Sequence, residues 1–212
     1  MEGTTFYEPT PRAWHCSVSM LYRSYVIGGC PPRSPSLSDA EFQSKVEVFD
    51  VRTEQWKAEL VKGNLPKGYG GASCIVPSYN CIFRYGGEGV HGESYGDLLQ
   101  LNLETFVWSH FSTTTSPSRS IPLKKSGSGL VLFESKKKVF LGLFGGFGIL
   151  PKKHNPQTGS TFVKSGEYVS DGWSNEFHVL DLTKGEDRLQ FKLGVVIKHF
   201  CSASVMQLTF FS

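Results

Sequence analysis

Ile82-Phe83-Arg84-Tyr85-Gly86-Gly87 decides how this chain folds, because a run of the same kind occurs three times. Ser24-Tyr25-Val26-Ile27-Gly28-Gly29 precedes it and Phe140-Leu141-Gly142-Leu143-Phe144-Gly145-Gly146 follows, with intervals of 58 and 59 residues between the glycine pairs. Downstream of each pair comes a polar, variable loop, then an apolar run closed by an acid or amide. These runs are Val46-Glu47-Val48-Phe49-Asp50, Leu98-Leu99-Gln100-Leu101-Asn102 and Phe177-His178-Val179-Leu180-Asp181. Trp56 stands six residues after Asp50 and Trp108 six after Asn102; the third copy has Asp187 at that spacing and reaches its nearest aromatic, Phe191, through a longer turn. Upstream of the pairs lie small-residue runs at residues 13–20, 71–76 and 126–133, and a fourth, Phe200-Cys201-Ser202-Ala203-Ser204-Val205-Met206, echoes Cys16-Ser17-Val18-Ser19-Met20.

Each unit reads as four short strands: a small-residue strand innermost, the strand ending in Gly-Gly, the strand ending in Asp or Asn, and an outer strand with its aromatic. Paired glycines tolerate positive φ and close backbone approach at a crowded strand end. A Trp on the outer strand offers a broad apolar face to the neighbouring unit. Four strands in a repeat of this length match the kelch β-propeller pattern. The expected fold is therefore all-β with next to no helix: a partial kelch propeller of three four-stranded antiparallel blades, at about 11–62, 66–112 and 122–194, plus the start of a fourth at about 198–212, where the chain stops short of another glycine pair.

Composition narrows the function. The 22 basic and 19 acidic residues leave a formal charge of +3, too mild for the concentrated basic stripe that nucleic-acid binding requires. No apolar run approaches the roughly 18 residues of a membrane span, and the N-terminus lacks a signal-peptide pattern, so a protein of the cytoplasm and/or nucleus is expected, with neither nucleic acid nor membrane as partner. Five cysteines without a CxxC pair point away from a disulfide framework and a zinc site; Cys16, Cys74 and Cys201 read as small buried strand residues. The six histidines show no metal-ligand spacing, and His15 and His199 read as satisfied structural residues. No cofactor is expected.

The loops after the glycine pairs are long: Cys30 to Ser44, Glu88 to Gly96, and Phe147 to Ser174. Long loops on a rigid scaffold are where binding residues concentrate. The third carries Phe147, Phe162, Tyr168 and Trp173, which suggests a lined pocket. Lys136-Lys137-Lys138 falls where the first two strands of blade three turn, and reads as a solvated hairpin tip.

With the repeats placed, the chain resembles the kelch substrate receptors of cullin-RING ubiquitin ligases that read protein C-termini. The closer likeness lies in Phe144-Gly145-Gly146-Phe147-Gly148-Ile149-Leu150-Pro151 and in Gly172-Trp173-Ser174-Asn175-Glu176-Phe177-His178-Val179-Leu180-Asp181, with Val48-Phe49-Asp50-Val51-Arg52-Thr53-Glu54-Gln55-Trp56-Lys57 in blade one. The resemblance implies a peptide-binding pocket on the loop face that takes glycine-ending C-termini. It implies pocket roles for Lys125, expected to be partly exposed, for Phe147 in the place of a tyrosine, and for Trp173. It places the family's carboxylate-clamping arginines and the segment that engages the cullin-RING adaptor beyond Ser212, so adaptor binding is expected only of a longer chain that carries that segment.

Two other readings compete with a peptide-binding scaffold. One is a generic structural or interaction protein, such as an actin-binding kelch chain, or a fragment without function of its own. The other is a metal-binding kelch enzyme. Glu93-Ser94-Tyr95-Gly96-Asp97 begins an ExxxDxxxH iron motif, but Leu101 stands where its histidine should be, so the chain is not expected to be an enzyme.

Overall fold

The computed structural model describes residues 7–32, 43–111, 122–135, 138–151, 168–183 and 191–193, almost wholly as strands. β1 (Cys16–Met20), β2 (Arg23–Ile27), β3 (Lys45–Asp50) and β4 (Gln55–Leu60) form one antiparallel sheet in chain order. After β5 (Lys62–Gly63), the strands β6 (Ala72–Val76), β7 (Cys81–Glu88), β8 (Ser94–Asn102) and β9 (Val107–His110) form a second, with β5 lying parallel on its outer edge against β9. The remaining strands are β10 (Lys125–Ser126), β11 (Gly129–Ser135), β12 (Lys138–Phe144), β13 (Phe147–Pro151), β14 (Tyr168–Trp173), β15 (Phe177–Asp181) and β16 (Phe191–Leu193). Of these, β11-β12-β15-β16 make the third blade and β10-β13-β14 a three-stranded ribbon continuing from it. The expected fourth blade, with Cys201 and His199, lies outside the described residues, as do residues 136–137 and Asp187.

Two apolar seams join the blades. Tyr25, Ile27, Val46 and Val48 of the first pack with Ile82, Leu99, Leu101 and Trp108 of the second. Cys74, Phe83, Tyr85 and Leu98 of the second pack with Leu130, Leu141, Leu143 and Leu180 of the third. The period of two along a strand explains the division: Ile82 faces blade one, while Phe83 and Tyr85 face blade three. Each fully buried side chain contributes about 1.5–3 kcal/mol of transfer free energy. Trp108 is buried as the sequence expects, whereas Trp56 is only half-buried, beside Phe49.

Three positions two residues ahead of the innermost strands share a left-handed backbone: Trp14 (φ 60°), Gly70 (φ 65°) and Gly127 (φ 62°). The amide of Gly70 donates to the Trp14 carbonyl at 2.9 Å, and that of Gly127 to the Gly70 carbonyl at 2.7 Å. This relay ties the three blades together where the strands converge. The glycine pairs are left-handed throughout, at 61° and 100°, 65° and 132°, and 68° and 99°. The acid or amide closing the third strand has a local task as well. Asp50 accepts the Arg52 amide at 3.0 Å, Asn102 those of Glu104 and Thr105 at 2.8 and 2.9 Å, and Asp181 that of Thr183 at 3.1 Å. These Asx turns start the hairpins that lead to the outer strands. In the third blade Phe191 pairs opposite Leu180.

Several boundaries differ from the sequence reading. Gly86-Gly87 lies inside β7, at a register shift against β8, so the expected loop from Glu88 to Gly96 shortens to residues 89–93. The long loop after Phe147 begins and ends as paired strands, β13 on β14. Blade three's innermost strand starts at Gly129, with Lys125–Ser126 split off into the ribbon by left-handed Gly127. Ser135 and Lys138 pair across the turn assigned to the lysine run. Cys16 is half-buried and donates to the Gly71 carbonyl, and His15, just before β1, is exposed.

A Cβ at Gly86 would stand 2.2 Å from the Lys125 carbonyl oxygen, whereas one at Gly127 would meet nothing within 4 Å. Gly127→Ala is therefore expected to cost only the left-handed backbone strain, about 1 kcal/mol, and Gly86→Ala about 3 kcal/mol or more from strain and overpacking together. Urea denaturation of the two variants checks this; equal losses would show that the glycine pair is not a close-approach site.

Candidate functional site

The ribbon and the glycine pair of blade three build a small polar centre. β10 pairs with β13 through Lys125 opposite Gly148 and Ser126 opposite Phe147. A Cβ on Gly146 would stand 3.1 Å from Lys125 Cδ, and one on Gly148 would strike the backbone of Lys124 and Lys125. The absence of side chains at these two positions thus admits the lysine stem. Lys125 is 1% exposed, against the partial exposure expected of it, while adjacent Lys124 is exposed. The buried Lys125 Nζ has no hydrogen-bond partner among the described residues.

Burial lowers the Lys125 ammonium from its ordinary 10.5 to about 8, with the nearby Glu176 carboxylate working in the opposite direction. Glu176, 4% exposed, meets His178 Nε2 at 3.0 Å. Ser126 Oγ donates to Glu88 at 3.1 Å and Ser128 Oγ to the Gly145 carbonyl at 3.2 Å. Phe147 and Trp173, directly opposite in the ribbon, meet edge to face at 5.1 Å. Trp173 is 78% exposed and forms a ledge on the surface, not the wall of a closed pocket. Lys125, Phe147 and Trp173 therefore all lie on the one ribbon. Phe162 lies outside the described residues, and Tyr168 is placed as the first residue of β14. Among the described residues no group of three or more His, Cys, Asp or Glu side chains is placed to hold a metal ion, and no helix is long and apolar enough to cross a membrane.

A comparison with protein families matches residues 2–146 to the KLHDC2/KLHL20/DRC7 kelch-repeats domain, about two-thirds of the chain. The chain belongs to this kelch-repeat family. Among curated proteins it is 26% identical over 139 residues to acyl-CoA-binding domain-containing protein 5 of Arabidopsis thaliana, covering 66% of this chain and 20% of that protein. It is 22% identical over 136 residues to host cell factor of Drosophila melanogaster, covering 64% and 8%. The chain thus spans a fifth or less of these relatives. Among solved structures YjhT shares the fold, with a TM-score of 0.54, 17% identity, and coverage of 83% of this chain and 55% of that one. The family match shows kelch repeats, and the structural likeness shows the propeller fold alone.

One residue of this kelch chain escaped the sequence reading. Arg84 occupies the strand position that Val26 and Leu143 hold in the other two blades, and that break in an apolar pattern was the available signal. It is 2% exposed and lines a cleft of about 320 Å³ with Leu65, Lys67, Tyr95, Asp97 and His110. Its guanidinium donates to the carbonyls of Lys67, Gly86 and Gly68 at 3.4, 3.1 and 3.1 Å, so it anchors the segment linking blades one and two. Burial lowers it to about 10.

The buried, unpartnered lysine predicts a stability cost. The unfolded chain holds the Lys125 proton up to about pH 10.5 and the native chain only to about pH 8. Native stability should therefore rise with pH across that window. Lys125→Met is expected to stabilise the protein at pH 7 by on the order of 1–3 kcal/mol, with the gain shrinking above pH 8. Thermal melts at pH 7 and pH 10 measure both effects.

Proposed function

We propose that this kelch scaffold captures the C-terminus of a partner protein, with Lys125 attracting the terminal carboxylate and Phe147 and Trp173 contacting the residues beside it. The observation that carries the reading is the buried Lys125 Nζ without a hydrogen-bond acceptor among the described residues. A buried ammonium lacking an acceptor bears a desolvation cost that an incoming anion relieves. A peptide C-terminus supplies that anion, and its capture is an established recognition mode. The exposed face of Trp173 beside Phe147 adds an apolar contact that a free inorganic anion would not use. The resemblance to C-terminus-reading ubiquitin-ligase receptors supports the same reading and would make the partner a protein marked for degradation by its glycine-ending tail. Recruitment of a cullin-RING adaptor belongs to this proposal and depends on sequence beyond the ribbon.

Fluorescence polarisation with a glycine-ending peptide, as the free acid and as the C-terminal amide, tests it. The acid should bind and the amide should bind at least about tenfold more weakly, as expected for loss of a buried charge pair. Affinity for the acid should fall about tenfold between pH 7 and pH 9, because the lysine loses its charge through about 8. Trp173→Ala should weaken binding about fivefold, the share of an exposed contact. Equal binding of acid and amide by the protein would sink the reading.

A further inference from the structure

Trp14 presents a cost that the fold does not demand. Its backbone is left-handed, at φ 60°, where a bulky side chain is strongly disfavoured. At the same register in the other two blades the chain places Gly70 and Gly127, the residue type that accepts this conformation without strain. The carbonyl that Trp14 contributes to the blade relay would be supplied equally well by glycine. Packing does not offset the strain either, because the Trp14 side chain is 70% exposed. Its ring lies 6.4 Å from that of Tyr69, tilted by 45°, so the two make an open aromatic ledge. Backbone strain that the fold leaves uncompensated tends to persist where the side chain serves a ligand.

The ledge connects to the lysine through Glu88, which exchanges backbone hydrogen bonds with Tyr69 at 2.9 and 2.8 Å and accepts from Ser126, the neighbour of Lys125, at 3.1 Å. Two steps of the relay, Trp14 to Gly70 and Gly70 to Gly127, lead to the turn that ends β10, and Lys125 lies two residues before Gly127. Each such step spans about 5 Å and the two residues from Gly127 back to Lys125 up to about 7 Å, so roughly three to five residues of extended peptide bridge the distance.

We propose that Trp14, with Tyr69 beside it, is a further ligand-contact residue of this scaffold: a stacking ledge for the side chains about three to five residues upstream of the C-terminus bound at Lys125. The inference rests on the peptide reading given above, and adds to it a specificity-determining position in blade one. Side chains with flat or long apolar surfaces suit an open aromatic ledge, since stacking and apolar contact need no enclosing pocket.

The experiment compares the unaltered protein with Trp14→Gly and Trp14→Phe, in thermal melts and in polarisation assays against a set of C-terminal peptides, each as acid and amide. Trp14→Gly should melt at an equal or higher temperature, its backbone strain relieved, yet bind acid peptides about tenfold more weakly. Trp14→Phe should keep affinity within about threefold. Exchanging a Trp or Leu placed about three to five positions before the terminus for Gly should weaken binding to the unaltered protein and leave binding to Trp14→Gly unchanged. If Trp14→Gly binds acid peptides as tightly as the unaltered protein, the ledge is overturned while capture at Lys125 stands. If acid and amide bind alike and Trp14→Gly weakens both, the Lys125 reading falls and the ledge stands. If no peptide in the set binds, both fall.

Discussion

The hydrogen bonds from Gly70 to Trp14 and from Gly127 to Gly70 set the geometry on which the rest of the molecule depends. Each blade alone is a twisted antiparallel sheet with two faces to bury, and its partners are the blades on either side. The relay fixes where consecutive innermost strands begin relative to one another, and so fixes which side chains meet across a seam. Ile82 and Trp108 can enter the first seam, and Phe83 and Leu141 the second, because the strand starts are locked in step. The left-handed turn at each relay position is the local condition for this, since it lets a backbone amide point sideways to the next blade instead of continuing the ladder.

The same economy of side-chain volume that lets the strands converge also creates the polar centre. Gly146 and Gly148 leave room beside the Lys125 stem: a Cβ at Gly148 would strike the backbone of Lys124 and Lys125, and one at Gly146 would strike Ser128 and crowd the stem. A cation is thereby held in a low-dielectric setting, with the Glu176 carboxylate close enough to favour its charge but not hydrogen-bonded to it. Arg84 solves a comparable problem differently: three backbone carbonyls accept its protons, and the cation serves the fold. Arg84 Nε is itself without a partner among the described residues, so the two cations differ in how far the fold engages them: three carbonyl contacts hold the guanidinium and none holds the ammonium.

Much of the architecture was legible because it rests on residues with sharp physical requirements. Glycine pairs, Asx-turn residues and outer-strand aromatics recur at fixed intervals, and the third copy's displaced Phe191 still found its place opposite Leu180. What escaped reading depends on spatial neighbours. Polar, variable composition after Phe147 signals a loop, yet cross-strand pairing with residues 17 to 26 positions away made its ends a ribbon. Lys125 resembles its exposed neighbour Lys124 in sequence, and the pairing that sets Lys125 opposite Gly148 is not visible there. The cluster of Arg12, Tyr7 and buried Glu47, which fastens the N-terminal segment to β3, was likewise hidden, because Glu47 sits in a strand whose alternation would suit an exposed acid.

The parallel pairing of β5 on β9 has a consequence for how the protein is made. β5 leaves the ribosome 44 residues ahead of β9, roughly 2–9 seconds at ordinary elongation rates of about 5–20 residues per second. The outermost strand of blade two therefore emerges to find a covering strand already present. Its free edge is open to nascent neighbours on the same polysome for no longer than docking takes, and the connection between two blades doubles as a guard against mispairing during synthesis.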